Sequence, residues 1–144
     1  MTDDADPHRF RHLRGCHPEL KWRVRKLVEA LEPEGLDILL TQGVRSVAQQ
    51  QALFAIGRFR PGKIVTNCDG IIKVSNHQVK ADGYGYAVDV AWRDASGVTW
   101  EGPWDRLGQL SQAHGLQWGG FWKFQDKPHL ELPPSFAAPT VERA

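Results

Sequence analysis

Asp89 is an unusual residue for its surroundings. In Gly85-Tyr-Ala-Val-Asp-Val-Ala-Trp92 the alternation predicts a strand. Tyr86, Val88, Val90 and Trp92 fall on one face and Ala87, Asp89 and Ala91 on the other. A carboxylate between two alanines is costly to bury unless a charge or a metal pairs with it; on a solvated strand it needs neither. A second group is Asp126-Lys-Pro-His129-Leu-Glu131. With Pro128 starting a strand, His129 and Glu131 share a face and Leu130 and Leu132 take the opposite one. Asp126 then sits in the preceding turn, within reach of a group bound by His129. Ser75-Asn-His77, in a polar stretch, is the third. A lone histidine is more often a core or surface residue than a ligand, but the set reads differently. Two histidines and an aspartate are three ligands of the kind zinc accepts, with a fourth position open for water. Asp126 is then a candidate general base, and Arg45 a candidate to stabilise the oxyanion formed as water attacks a carbonyl. The spacing is not that of the HExxH motif, so on its own it is weakly specific.

These residues need elements to position them. Pro18 opens a helix whose apolar stripe is Leu20, Val24, Leu27, Val28 and Leu31; Pro33 and Gly35 end it. Asp37–Thr41 suits a buried strand, and the turn around Gly43 carries Arg45. Ser46, with Gln49 three residues on, makes a capping box for a second helix. Ala48, Ala52, Leu53 and Ile56 form its apolar side, and Gly57 stops it. Residues 58–84 read as loop, with short extended pieces at 64–66 and 71–72. A third helix runs from Trp104 to His114 with Leu107 and Leu110, stopped by Gly115. Leu116–Gly120, an aromatic segment 121–124 and an extended run 129–132 follow. Three helices and four or five short strands, without βαβ winding, predict an α+β fold in which about three helices flank a small sheet.

Composition narrows the classes. The chain has 144 residues with 41% hydrophobic and 24% charged residues, which excludes collagen, low-complexity disorder and coiled coil and fits a single domain. No apolar run approaches the ~20 residues of a membrane span, so no membrane insertion is expected. A net charge of +1 argues against a nucleic-acid partner by bulk charge. The basic residues Arg9, Arg11, Arg14, Lys21, Arg23, Arg25 and Lys26 read as a solvated face. Cys16 and Cys68 stand apart, which excludes a thiolate zinc knuckle and leaves two free thiols or one disulfide open. Five of the six tryptophans lie between Trp92 and Trp122 and are expected to brace the core.

Taken in order, these segments resemble a known family. Ser75-x-His77, Gly85-x-Ala87-x-Asp89 and Asp126-x-Pro128-His129 look like the SxHxxGxAxD … (D/E)xxH signature of the zinc D-alanyl-D-alanine carboxypeptidases, vancomycin-resistance dipeptidases and phage L-alanyl-D-glutamate endopeptidases, which share a fold with the hedgehog signalling domain. Gly15-x-His17-Pro18-Glu19-Leu20 is similar to that family's lead-in to the first helix. Gly43-x-Arg45-Ser46 with Gln50 and Leu53 resembles its second helix, and Trp118-Gly-Gly-x-Trp122 matches its WGGxW run. The resemblance spans residues 12–132. It implies a hedgehog/DD-peptidase-like antiparallel sheet, zinc bound by His77, Asp89 and His129, Asp126 as base and Arg45 polarising the scissile carbonyl. Ser75 and Trp118 become candidate substrate contacts, with Trp122 a second candidate for the cleft wall. Asp rather than Glu as base looks more like the endopeptidase branch.

The chain departs from the pattern between His77 and Gly85, where five extra residues intervene. Asp82 lies inside this insertion and is an alternative ligand to Asp89. The loop 78–84 is expected to enlarge the rim of the cleft. By resemblance the substrate is the peptidoglycan stem peptide, cut by a monomer of the endolysin type. The alternatives are a D-alanyl-D-alanine carboxypeptidase or dipeptidase, and a zinc-binding module without catalysis. The expected organisation is a polar arm over 1–15, one catalytic domain over 16–132 and a disordered tail over 133–144, with no wall-targeting module. The acidic start, Met1–Pro7, lacks the apolar stretch of a secretory signal. Synthesis in the cytoplasm and release to the cell wall through a holin or another route is therefore expected.

Overall fold

The structure of the protein is a computed structural model, described over residues 9–133. Helix α1 covers Pro18–Leu31, with Pro18 in its first turn and the His17 ring accepting from the Glu19 amide at 3.0 Å. Its stripe from Leu20 to Leu31 is fully buried. Gly35, at φ 72°, takes the left-handed turn that ends the segment. Strand β1 (Ile38–Gln42) follows, and Ser46 caps helix α2 (Val47–Ala55) with the expected box to Gln49. Strand β2 (Ala87–Asp94) and strand β3 (Gly97–Thr99) form a hairpin. Helix α3 (Trp104–Ala113), strand β4 (Gln117–Trp118) and strand β5 (His129–Glu131) complete the order.

The sheet runs β1-β2-β5-β4, with β3 paired to the far end of β2, and every pairing is antiparallel. β2 is its hub. On one face Val88, Val90 and Trp92 join Ile38, Leu40, Leu130 and the apolar stripe of α1 in a continuous core, with Leu107 of α3. Each such aliphatic side chain stabilises the fold by roughly 1.5–3 kcal/mol through burial. The opposite face of β2 carries Asp89 between the buried Ala87 and Ala91. Asp89 lies directly across from His129 on β5. On β1 the register slips between Leu40 and Gln42, so that Gln42 stands opposite Asp89. Without that bulge, alternation would carry a different side chain to this point.

Several expectations change. Residues 9–15 are not a polar arm: Phe10 and Leu13 are buried core residues. The tail expected over 133–144 lies, beyond Pro133, outside the described residues. α2 does not bury its apolar side; Ala48 and Ala52 are exposed, and its buried residue is Gln50. The extended pieces at 64–66 and 71–72 pair with no described strand, whereas the β2–β3 hairpin was not anticipated. Trp92 and Trp118 are buried, Trp100 is exposed, and Cys16 and Cys68 are both free thiols. No described helix is long and apolar enough to cross a membrane.

Candidate functional site

His77 is delivered by the loop before β2. Its Nδ1 lies 2.8 Å from the carbonyl of Gly43, which accepts only, so the ring carries its proton there and turns the Nε2 lone pair inward. The segment that offers this carbonyl packs against the backbone of His12, which demands glycine at position 43. A Cβ at that position would stand 1.8 Å from the His12 carbonyl oxygen. His129 is fixed from its other side, with Nε2 at 2.7 Å from Glu131 Oε1, which leaves Nδ1 facing inward. The two inward nitrogens are 3.2 Å apart, and Asp89 Oδ1 lies 3.4 Å from the first and 3.5 Å from the second.

With both rings neutral, two lone pairs and a carboxylate oxygen converge on one point and repel, which either a proton on His129 or a bound cation relieves. Asp89 Oδ1 is buried and has no hydrogen-bond partner among the described residues. His77, Asp89 and His129 are also the group of described residues whose ligand atoms lie close enough together to hold a metal. The donor set of two imidazoles and one carboxylate fits zinc. Asp82 is not part of it: it is exposed and bonds Tyr86 Oη and the Tyr84 amide.

The electrostatics follow from the same convergence. Burial would raise the Asp89 carboxyl, but the facing imidazoles of His129 and His77 hold it well below the usual carboxylate range. Burial works against a charged His129, yet the carboxylates of Asp89 and Glu131 carry its pKa up to about 9. Asp126 is pushed up, by burial first and by the Asp89 charge second. Its Oδ2 stands 3.8 Å from His129 Nδ1, beside the cluster without joining it. The turn that carries it is tightly built. The Asp126 amide donates to Gly119 O at 2.9 Å, and Trp118 Nε1 donates to Lys127 O at 2.6 Å.

Arg45 is clamped from three sides. Nη1 donates to Gln50 at 3.0 Å, while Nη2 donates to Gln42 at 2.6 Å and to Asp89 Oδ2 at 3.1 Å. Gln50 is itself held by Thr66 and the Cys68 carbonyl. Gln42 and Gln50 were missed from sequence because a polar residue at one helical or strand position looks solvent-facing. Gln50 is one of the resemblance's own positions, which was the available signal.

His77, Asp89, His129, Asp126 and Arg45 line one open cavity of about 450 Å³, in the range of small-ligand sites. Leu53, Val65, Val74 and Trp122 give it apolar walls. Ser75 lines it too, although its Oγ accepts from the His77 amide and serves the ligand loop. Trp118 is corrected: it is buried between Gly108 and Gly120 and does not reach this cavity, whereas Trp122 does and packs on His129. The 78–84 insertion is also corrected. It folds back on itself through Lys80 and Tyr84, and no residue of 79–84 lines the cavity.

A profile described as D-alanyl-D-alanine carboxypeptidase matches residues 72–132, which hold all three candidate ligands and Asp126. The chain is 32% identical over 131 residues to the peptidoglycan L-alanyl-D-glutamate endopeptidase CwlK of Bacillus subtilis (strain 168), covering 83% of this chain and 74% of that protein. The chain belongs to the D-alanyl-D-alanine carboxypeptidase family of metallopeptidases. Among solved members, the L-Ala D-Glu endopeptidase ChiX of Serratia marcescens superposes with a TM-score of 0.55 at 28% identity, over 88% of this chain and 86% of ChiX. The LD-carboxypeptidase LdcB shares the fold at a TM-score of 0.53 and 22% identity, over 85% of this chain and 67% of LdcB. The α+β architecture is therefore that of a metallopeptidase of this family, and the chain is an enzyme.

Proposed function

We propose that the protein is a zinc-dependent peptidoglycan hydrolase that cuts the stem peptide between L-alanine and D-glutamate. The observation that carries this reading is the convergence of His77, Asp89 and His129 in an open cleft with Asp126 beside them. The likeness to CwlK and ChiX over most of the chain supports the bond chosen. So does an aspartate, rather than a glutamate, at the base position.

In this reading His77, Asp89 and His129 hold zinc, which when bound acts as a Lewis acid and brings the pKa of a coordinated water to about 7. Asp126 accepts the proton of the attacking water and returns it to the leaving D-glutamyl amine. Arg45 places a fixed positive charge at the cleft. Its bonds to Gln42, Gln50 and Asp89 use three of its five N–H protons and its Nε is buried, leaving the second Nη1 proton for the oxyanion that develops on the carbonyl. Leu53, Val65, Val74 and Trp122 bound the space the peptide occupies and limit its contact with water.

The enzyme acts as a monomer of the endolysin type, on the wall rather than on the membrane, and its catalytic domain runs to residue 132 and includes residues 9–15, whose Phe10 and Leu13 are part of the core. Digestion of purified peptidoglycan, with the products weighed by mass spectrometry, tests the reading. Fragments beginning at D-glutamate are expected, with none formed in the presence of a chelator and activity regained on adding zinc. Loss of terminal D-alanine alone would make the protein a carboxypeptidase, as the name of the matching family suggests. No product at all would leave a zinc-binding module.

A further inference from the structure

A line of hydrogen bonds leads away from the candidate ligands, and the chemistry above does not use it. His129 Nε2 donates to Glu131 Oε1 at 2.7 Å, and both residues are buried. Glu131 Oε2 accepts from Asn76 Nδ2 at 2.9 Å. Asn76 Oδ1 accepts from Lys80 Nζ at 2.8 Å. Each link has one permitted sense, because a carboxylate only accepts and an ammonium only donates. The Asn76 amide is thereby oriented, and His129 must carry its hydrogen on Nε2.

We propose that Glu131 is a positioning residue for the metal centre, and that Asn76 and Lys80 extend it into a brace anchored in the 78–84 insertion. A neutral imidazole has two tautomers and a ring that can turn over. The contact with Glu131 selects the one state in which the Nδ1 lone pair faces His77 and Asp89. A buried carboxylate is a poor choice for packing alone, since an apolar residue would fill the same space without desolvating a charge. Leu130 and Leu132, on the opposite face of the same strand segment, do serve packing. The five extra residues, which open no part of the cavity, acquire a role. Lys80 belongs to them and holds Asn76, one residue from His77 and two bonds from His129. The order of importance follows burial: Glu131 most, Asn76 less, and Lys80, which is exposed, least.

This rests on the zinc reading of the site, and its test is metal affinity instead of hydrolysis. The zinc dissociation constant of the full chain is measured by competition with a chromophoric chelator, and the ligand field by the visible spectrum of the cobalt-loaded protein. Glu131→Leu is expected to weaken zinc 10–100-fold, the usual effect of losing such an outer partner, and to shift the cobalt bands. Glu131→Gln keeps an acceptor for His129 but turns an amide donor toward Asn76. It is expected to match Asn76→Ala, with a loss well short of that in Glu131→Leu. Lys80→Ala is expected to lose least. A folded Glu131→Leu with unchanged zinc affinity and cobalt spectrum overturns the proposal, as does a Glu131→Gln as weak as Glu131→Leu. Should Glu131→Leu not fold, an Asn76→Ala with unaltered affinity overturns the brace. A chain that binds zinc in this graded way but cuts no peptidoglycan refutes the function and leaves the brace standing.

Discussion

Asp126 stands 3.8 Å from His129 with 43% of its side chain open to the cleft, so a proton can reach it and leave it. Replacing it with alanine removes no ligand. The expected outcome of Asp126→Ala is a 10²–10⁴-fold loss of turnover with zinc still bound at one equivalent, measured by muropeptide release and metal analysis together. Unchanged turnover would end its assignment as base. Cys16 supports a separate prediction. Burial pushes its thiol up to about 11, against the pull of Lys21. The folded chain therefore keeps its proton where the unfolded chain loses it. Stability is unaffected below about pH 9 and falls as pH rises from there to about 11, by on the order of 2–3 kcal/mol. Denaturant unfolding at pH 8 and pH 10.5 should show the drop in the native chain and a smaller one in Cys16→Ala. At this scale the sequence was most legible where a charged residue broke an apolar alternation, as Asp89 does. It was least legible where a polar residue braces a neighbour. Glu131, Gln42 and Gln50 carry no local mark of burial, and their partners are distant in sequence.

Among the elements, the segment after α3 shows how a short motif serves the site. The Trp118 ring is packed between two glycines: a Cβ on Gly108 or on Gly120 would stand 2.2 Å from it. A Cβ on Gly119 would stand 2.3 Å from the Asp126 carbonyl oxygen. The Trp-Gly-Gly run is thus the mould for the turn that presents Asp126. Gly108 lies inside helix α3, where alanine normally gains about 1 kcal/mol. Here the collision with Trp118 wins. Gly108→Ala is expected to destabilise the chain by a net of up to about 2 kcal/mol, the overpacking cost of about 1–3 kcal/mol offsetting or exceeding the helix gain. A raised denaturation midpoint would contradict this. Helices α1 and α3 and strands β1, β2 and β5 were legible because their apolar periodicities match what they bury. α2 misled because its apolar positions face the cleft and solvent, while the residue it buries is Gln50. The insertion misled for another reason. A loop near a site suggests a rim, and only its bonds through Lys80 and Tyr84 show that it turns away.

For the whole molecule, the site is a store of unbalanced charge and lone pairs that a cation would settle. Zinc binding should therefore register as stability. At free zinc 1,000-fold above the dissociation constant the gain is about 4 kcal/mol, or a rise in melting temperature of roughly 10 °C for a chain of this size. Thermal unfolding with and without chelator measures it, and coincident curves would argue against a tight native site. The basic residues near the start of the chain are in part internally engaged. Arg9 pairs with Asp37 and Glu32, and Arg23 with Glu19 and the Gly115 carbonyl. Their count therefore overstates the field they project.

The place of β5 in the sheet has a consequence for how the enzyme comes into being. It is the last strand along the described chain, yet it lies between β2 and β4, both of which precede it. During translation His77 and Asp89 leave the ribosome long before the strand that carries His129, and the gap waiting for that strand is in the middle of the sheet. No nascent fragment ending before residue 129 holds all three proposed ligands or the strand that joins β2 to β4. With the proposed ligands, hydrolytic competence then waits for the last of the described strands to slot in. On that ligand set, a chain cut short before residue 129 is expected to be inactive.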